Sequence, residues 1–153
     1  MLELNEGLVA IDLEAPNAHA VIDTLAGRLC DQGLVSAEYG ARTFEREQEH
    51  PTGLPTNPFY IAFPHADADG VNQSGLAVAL LKHPVVFKNM ADPEEDLDVC
   101  LVLMLANRNP EEQIQTLRSL ALLFGQPDKL AALRSQLTPA DAVSWLKLEL
   151  SLT

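Results

Sequence analysis

The sequence predicts an α/β fold, a single mixed β-sheet flanked by helices on both faces. Three observations predict it. Short β-branched or apolar runs of strand length alternate with segments whose apolar residues recur every three or four positions. The run 98–105 is apolar on both faces, as a central strand covered by two layers must be. Cap and stop residues bracket the helical segments: Asn17 and Gly33, Asn109 and Gly125, and Thr138. No stretch has linker composition, so residues 1–153 are expected to form one domain, long enough to bury a full core.

Taken in order, 7–13 alternates loosely and suits a first strand ending at Pro16. Asn17 caps a helix to about Gln32, with Ala18, Val21, Ile22, Leu25 and Leu29 on its apolar face and Gly33 as its stop. Ser36 is the expected cap of a second helix, anchored by Tyr39 and Phe44 and limited by Pro51. The stretch 52–58 holds one Gly and two Pro and reads as a loop; 59–63 reads as a strand. A strand at 76–81 is followed by a break at Lys82-His83-Pro84, a short run 85–87, and an acidic loop over 89–96. After the central strand, Asn109-Pro110-Glu111-Glu112 starts a helix with a cap, a proline at the first position and acids in the first turn. Its expected apolar face is Ile114, Leu117, Leu120, Ala121 and Phe124. Two further helices are expected at about 128–135 and 139–149.

The composition is that of a soluble globular protein, 47% apolar and 21% charged. The longest apolar run, 99–106, falls far short of the ~20 residues of a membrane span. The N-terminus lacks the pattern of a signal peptide, and Cys30 and Cys100 show no CxxC spacing. A cytoplasmic protein with free thiols is the expectation. The formal charge of −12 disfavours nucleic acid and anionic lipid and favours basic protein partners.

The chemistry concentrates in Ile61-Ala62-Phe63-Pro64-His65-Ala66-Asp67. A short apolar run delivers His65 to a proline-fixed exit, with Arg46-Glu47 and Pro51-Thr52-Gly53-Leu54-Pro55 just upstream. Neutral imidazole is a good nucleophile near neutral pH, and a phosphoryl group on a ring nitrogen is easily passed on. Transfer needs in-line approach and neutralised equatorial oxygens, which an arginine fork and backbone N–H groups can supply. Arg46 is the candidate fork, and Thr52 and Gly53 are candidate phosphate contacts. The competing plain reading of His65 is a surface histidine at a strand end. Gln113, in the first turn of the Pro110 helix, can donate to a phosphate oxygen or simply be solvated. His65, Asp67 and Asp69 form an H-x-D-x-D run in which a metal is conceivable, but no further ligand cluster supports it, so a solvated acidic turn is favoured. His19, His50 and His83 read as surface residues, and Glu45, Glu47 and Glu49 as a solvated helix end. There is no G-x-S-x-G, P-loop or dinucleotide fingerprint, and no cofactor is implied.

Together, Arg46-Glu47, Pro51-Thr52-Gly53-Leu54 and Ile61-Ala62-Phe63-Pro64-His65-Ala66 resemble the IIA components (EIIA) of the bacterial sugar phosphotransferase system, fructose/mannitol type. The similarity continues through 76–78, 82–87, 98–106 and 113–117, covering roughly 41–124. The resemblance implies a mixed sheet flanked by helices. It also implies that His65 accepts a phosphoryl group on Nε2 from the phosphohistidine of HPr and passes it to a cysteine of a IIB component (EIIB), which serves a membrane IIC component (EIIC). Mannitol and fructose members carry a second active-site histidine where this chain has Gln113. That departure resembles the galactitol-specific branch, as do Pro-Thr-Gly-Leu-Pro-Thr at 51–56 and Pro-Glu-Glu-Gln-Ile-Gln at 110–115. Two rival readings remain: a regulatory module of the same fold controlled by phosphorylation of His65, and a metal-dependent hydrolase using His65, Asp67 and Asp69.

Overall fold

The computed structural model describes residues 2–152. A 3₁₀ turn (Glu6–Leu8) leads into β1 (Val9–Leu13), followed by α1 (Ala18–Asp31), α2 (Tyr39–Glu49), β2 (Gly53–Leu54) and β3 (Tyr60–Ala62). The long strands β4 (Gly75–Asn89) and β5 (Asp92–Ala106) come next, then a 3₁₀ turn (Pro110–Gln113), α3 (Ile114–Phe124), α4 (Pro127–Arg134) and α5 (Pro139–Glu149).

These elements form one mixed sheet of five strands, as the sequence predicts. The hairpin β4–β5 is its spine, paired antiparallel from Gly75 opposite Ala106 to Asn89 opposite Asp92. Parallel β1 lies along β4, with Val9 opposite Val78, and parallel β3 lies along β5, with Ile61 opposite Leu101. Strand alternation sorts the side chains into two cores. Ala77, Ala79 and Leu81 join Val21, Leu25 and Leu29 of α1 and Tyr39 of α2 on one face. Leu76, Val78 and Leu80 join Leu120 and Leu123 of α3, Leu130 of α4 and Leu146 of α5 on the other.

Several local expectations hold. The Asn17 side chain accepts from the Ala20 N–H at 2.9 Å, and Thr138 does the same for Asp141 at 3.1 Å. Gly33 follows α1 at φ +73°, a left-handed conformation that suits glycine.

Others are corrected. Ser36 does not cap α2; Glu38 occupies that position and makes no side-chain cap bond. The supposed loop 52–58 contains β2, because backbone groups at Gly53 and Leu54 find partners on β3 and β4. Lys82-His83-Pro84 does not break a strand. β4 runs through it with a register shift between Leu80 and Val85, which absorbs a proline that has no N–H to give the ladder. The acidic stretch 89–96 is mostly strand, since hairpin pairing outweighs the poor strand propensity of its acids. In α3 the buried residues are Thr116, Leu120 and Leu123, while Ile114 is 45% exposed and Ala121 also faces outward. Leu117 and Phe124 of the expected face are partly buried against the same core as Leu120, so the buried stripe is turned toward Thr116 and Leu123 from the one expected.

Candidate functional site

His65 stands where the chain leaves the end of β3. Ile61 and Ala62 are fully buried, one in each core, so the strand is pinned from both sides. The Phe63 N–H then donates to the Thr52 carbonyl at 3.3 Å and to the Thr52 hydroxyl at 3.2 Å. Pro64 is buried and fixes the next φ.

His65 is half-buried, with Nδ1 2.9 Å from the Phe63 carbonyl oxygen. A carbonyl only accepts, so Nδ1 carries the proton and Nε2 keeps its lone pair. The imidazole is tilted 44° to the Phe63 ring at 5.6 Å, and Phe63 meets Phe124 of α3 edge-on at 5.6 Å. Beyond His65, the Ala66 N–H donates to the Tyr39 hydroxyl at 3.3 Å. Tyr39 is fully buried, and burial raises the pKa of its phenol. Backbone on both sides of the imidazole is therefore tied to the core.

His65 lines a cavity of about 230 Å³ with Phe63, Ala66, Leu105, Asn107 and Leu117. Asn107 Oδ1 is buried there and has no hydrogen-bond partner among the described residues. A second cleft, about 210 Å³, is lined by Arg42, Arg46, Glu49 and His50. The two share Ala66 and Asp67, so Arg46 and His65 flank the same two-residue wall. Arg46 is exposed, and among the described residues no ion pair engages it. Arg42, one helical turn earlier, pairs with Asp67 at 3.8 Å and Asp69 at 3.5 Å. A larger cleft, about 370 Å³ between α1, α2 and β4, lies beside His19 and Phe44 and does not include His65.

The remaining candidates sit in other surroundings. Thr52 is buried, and its hydroxyl is 2.7 Å from Glu47 Oε1 while its N–H is 2.8 Å from Oε2. The hydroxyl proton goes to the carboxylate. Gly53 is held against the Lys88 carbonyl oxygen so closely that a Cβ has no room. Gln113 is buried at the end of the 3₁₀ turn. Its neighbours Pro110 and Leu117 line the His65 cavity, but Gln113 does not.

Glu47 is the main correction: it is buried, not solvated. Burial raises its pKa to about 7, against the two hydrogen bonds from Thr52 that pull it down. Asp67 and Asp69 turn to Arg42, and among the described residues no group of three His, Cys, Asp or Glu converges. His19 is a surface residue, as expected, and its exposed ring stacks on Phe44 at 4.0 Å.

The sequence reading missed Arg42 and Asn107. Arg42 could have been found from its four-residue spacing to Arg46, which puts both on one helix face. Asn107 carries no sequence signal.

Comparisons with known proteins bear on family and fold. The family model for the phosphoenolpyruvate-dependent sugar phosphotransferase system, EIIA 2, matches residues 3–148. The chain is 31% identical over 108 residues to the galactitol-specific EIIA component of Escherichia coli K12, covering 71% of each. It is 32% identical over 122 residues to the transcriptional regulator ManR of Bacillus subtilis, covering 78% of this chain but 17% of ManR. In fold it is similar to a chain of the E. coli complex of mannitol enzyme IIA with phosphorylated enzyme IIB, with a TM-score of 0.72, 22% identity and 99% coverage of both chains. No helix among the described residues is long and apolar enough to cross a membrane. The family match over residues 3–148, on a mixed sheet of five strands, makes this protein a member of the EIIA type 2 family of the sugar phosphotransferase system.

Proposed function

We propose that this chain is a cytoplasmic phosphocarrier, acting as one domain over residues 1–153. His65 accepts a phosphoryl group from the phosphohistidine of HPr and gives it to a cysteine of a IIB component. The observation that carries the reading is the Nδ1–H bond to the Phe63 carbonyl, which leaves Nε2 as the free nucleophile. Nε2 attacks phosphorus as the N–P bond of the donor breaks, and a IIB thiolate later attacks the same phosphorus as the new bond breaks. Arg46, which makes no ion pair among the described residues and lies beside the Ala66-Asp67 wall, neutralises the equatorial oxygens.

Thr52 and Gly53 serve this step mainly by shaping the end of β3, because their polar and steric capacity is already committed. Gln113, at the position that the resemblance gives to the family's second histidine, is the candidate for a polar contact with the phosphoryl group that needs its own variant to test. Kinship with the galactitol-specific component supports galactitol or a related polyol as the transported substrate, with a IIC component downstream. The complex of mannitol IIA with phosphorylated IIB supports a IIB acceptor.

The test is intact mass after incubation with phosphoenolpyruvate, enzyme I and HPr. One acid-labile phosphoryl group on the wild type, absent from His65→Ala, is the expected result. No added mass while HPr is itself phosphorylated sinks the proposal.

A second reading is favoured by the match to ManR: a module whose phosphorylation state controls binding to another protein. Phosphoryl uptake without onward transfer to any IIB would select it.

A further inference from the structure

Arg46 and Glu47 are adjacent but point to opposite environments, one exposed and one buried. A buried carboxylate is costly unless it is fully engaged. Both oxygens of Glu47 take hydrogen bonds from a single residue, Thr52. From there the bonds continue without a gap. Thr52 Oγ1, its proton already given to Glu47, accepts from the Phe63 N–H. The Phe63 carbonyl, on the same residue, accepts from His65 Nδ1.

We propose that Glu47 is a positioning residue for His65: through Thr52 and Phe63 it orients the imidazole with its proton on Nδ1 and Nε2 open to the phosphoryl donor. The proposal rests on the reading of His65 as the phosphoryl acceptor and adds how the rest of the fold prepares it.

The directions of the bonds matter as much as their lengths. An ionised Glu47 can only accept, so the Thr52 hydroxyl must donate to it and present a lone pair to the Phe63 N–H. That holds Phe63 in place and aims its carbonyl at Nδ1. Charge-assisted bonds inside the protein are the strong ones, and chains of them reinforce one another. The same carboxylate fastens the C-terminal turn of α2 to β2 and β3. Arg46, one residue earlier, is thereby held near the Ala66-Asp67 wall. Two groups that must act together are thus located by one buried anchor.

Two near-isosteric substitutions break the chain at different links. Glu47→Gln replaces one acceptor by an NH₂ that faces a donor. Thr52→Val removes the hydroxyl and leaves the backbone bond. Thr52→Ser keeps the hydroxyl. The readouts are the tautomer of His65, from the nitrogen chemical shifts of ¹⁵N-histidine-labelled protein, and the rate of phosphoryl uptake from phospho-HPr. Both are taken at about pH 8, where Glu47 is ionised.

The wild type is expected to show the Nδ1–H form. Glu47→Gln and Thr52→Val should move the ring toward the Nε2–H form and slow uptake about tenfold, the scale of one charge-assisted hydrogen bond. Thr52→Ser should recover both relative to Thr52→Val. A wild type in the Nε2–H form overturns the proposal without recourse to any variant. So do folded variants that keep the wild-type tautomer, whatever their rates. If the tautomer responds as expected but the wild type takes up no phosphoryl group, the positioning role stands and the phosphocarrier reading fails.

Discussion

At the scale of single residues, the site separates groups that act from groups that hold. His65 offers one nitrogen to the Phe63 carbonyl and the other to its cavity. Truncating it removes one partly buried hydrogen bond and a tilted contact with the Phe63 ring, so His65→Ala should cost about 1–2 kcal/mol of stability. It should nevertheless abolish phosphorylation, as read by intact mass and a denaturation curve on the same sample. Arg46 makes no ion pair among the described residues, so its loss should leave stability within about 0.5 kcal/mol. Arg46→Ala should slow phosphoryl uptake by about 10²-fold, the usual effect of removing one donor from a developing oxyanion. Quench-flow uptake from phospho-HPr measures it, and a wild-type rate would take Arg46 out of the site.

At the scale of elements, the short strand β2 decides where His65 stands. It pairs with β3 through Gly53 and Ala62 and meets the tip of β4 through Gly53 and Asn89. A methyl group on Gly53 would run into the Lys88 carbonyl, which is backbone and cannot rotate away. Gly53→Ala should therefore destabilise by about 1–3 kcal/mol and slow phosphoryl uptake as β2 and β3 shift together. Gly27, in α1, is the control: a Cβ there meets nothing within 4 Å. Gly27→Ala should stabilise by about 0.5–1 kcal/mol through helix propensity, with uptake unchanged. Urea midpoints of the two variants, shifting in opposite directions, check both.

At the scale of the whole molecule, the buried Glu47 ties folding to pH. The folded protein holds its proton to about pH 7, whereas the ordinary value is 4.5. Between those values the native state binds more protons than the unfolded chain. Stability therefore falls as pH rises through that window and levels off above it, by up to about 3 kcal/mol from this one group. Glu47→Gln has nothing to titrate there. Comparing its urea midpoints at about pH 5 and pH 8 with those of the wild type isolates the effect from the other acids of a chain with net charge −12. That charge has its own consequence. Association with a basic partner should be steered electrostatically, so its on-rate should drop as salt is raised from 50 to 500 mM, on the order of tenfold or more by stopped flow.

The class of fold, the caps at Asn17 and Thr138, the two-sided burial of β5 over 101–105 and a strand just before His65 were all legible in the linear chain. Each depends on local periodicity or on one residue's preference for one conformation, and such signals are present in a linear string. Arg46 beside the His65 loop was legible for a different reason, the joint spacing of several motifs. The rest came from contacts between distant parts of the chain. Whether Lys82-His83-Pro84 breaks a strand or bulges one depends on β5, which follows later in the chain. Whether Glu47 is solvated depends on Thr52 being folded back over α2. A carboxylate in an acidic run has the same sequence signature in water and in a core. Its environment is set by what packs on it, and that is a property of the closed sheet rather than of the residues around position 47.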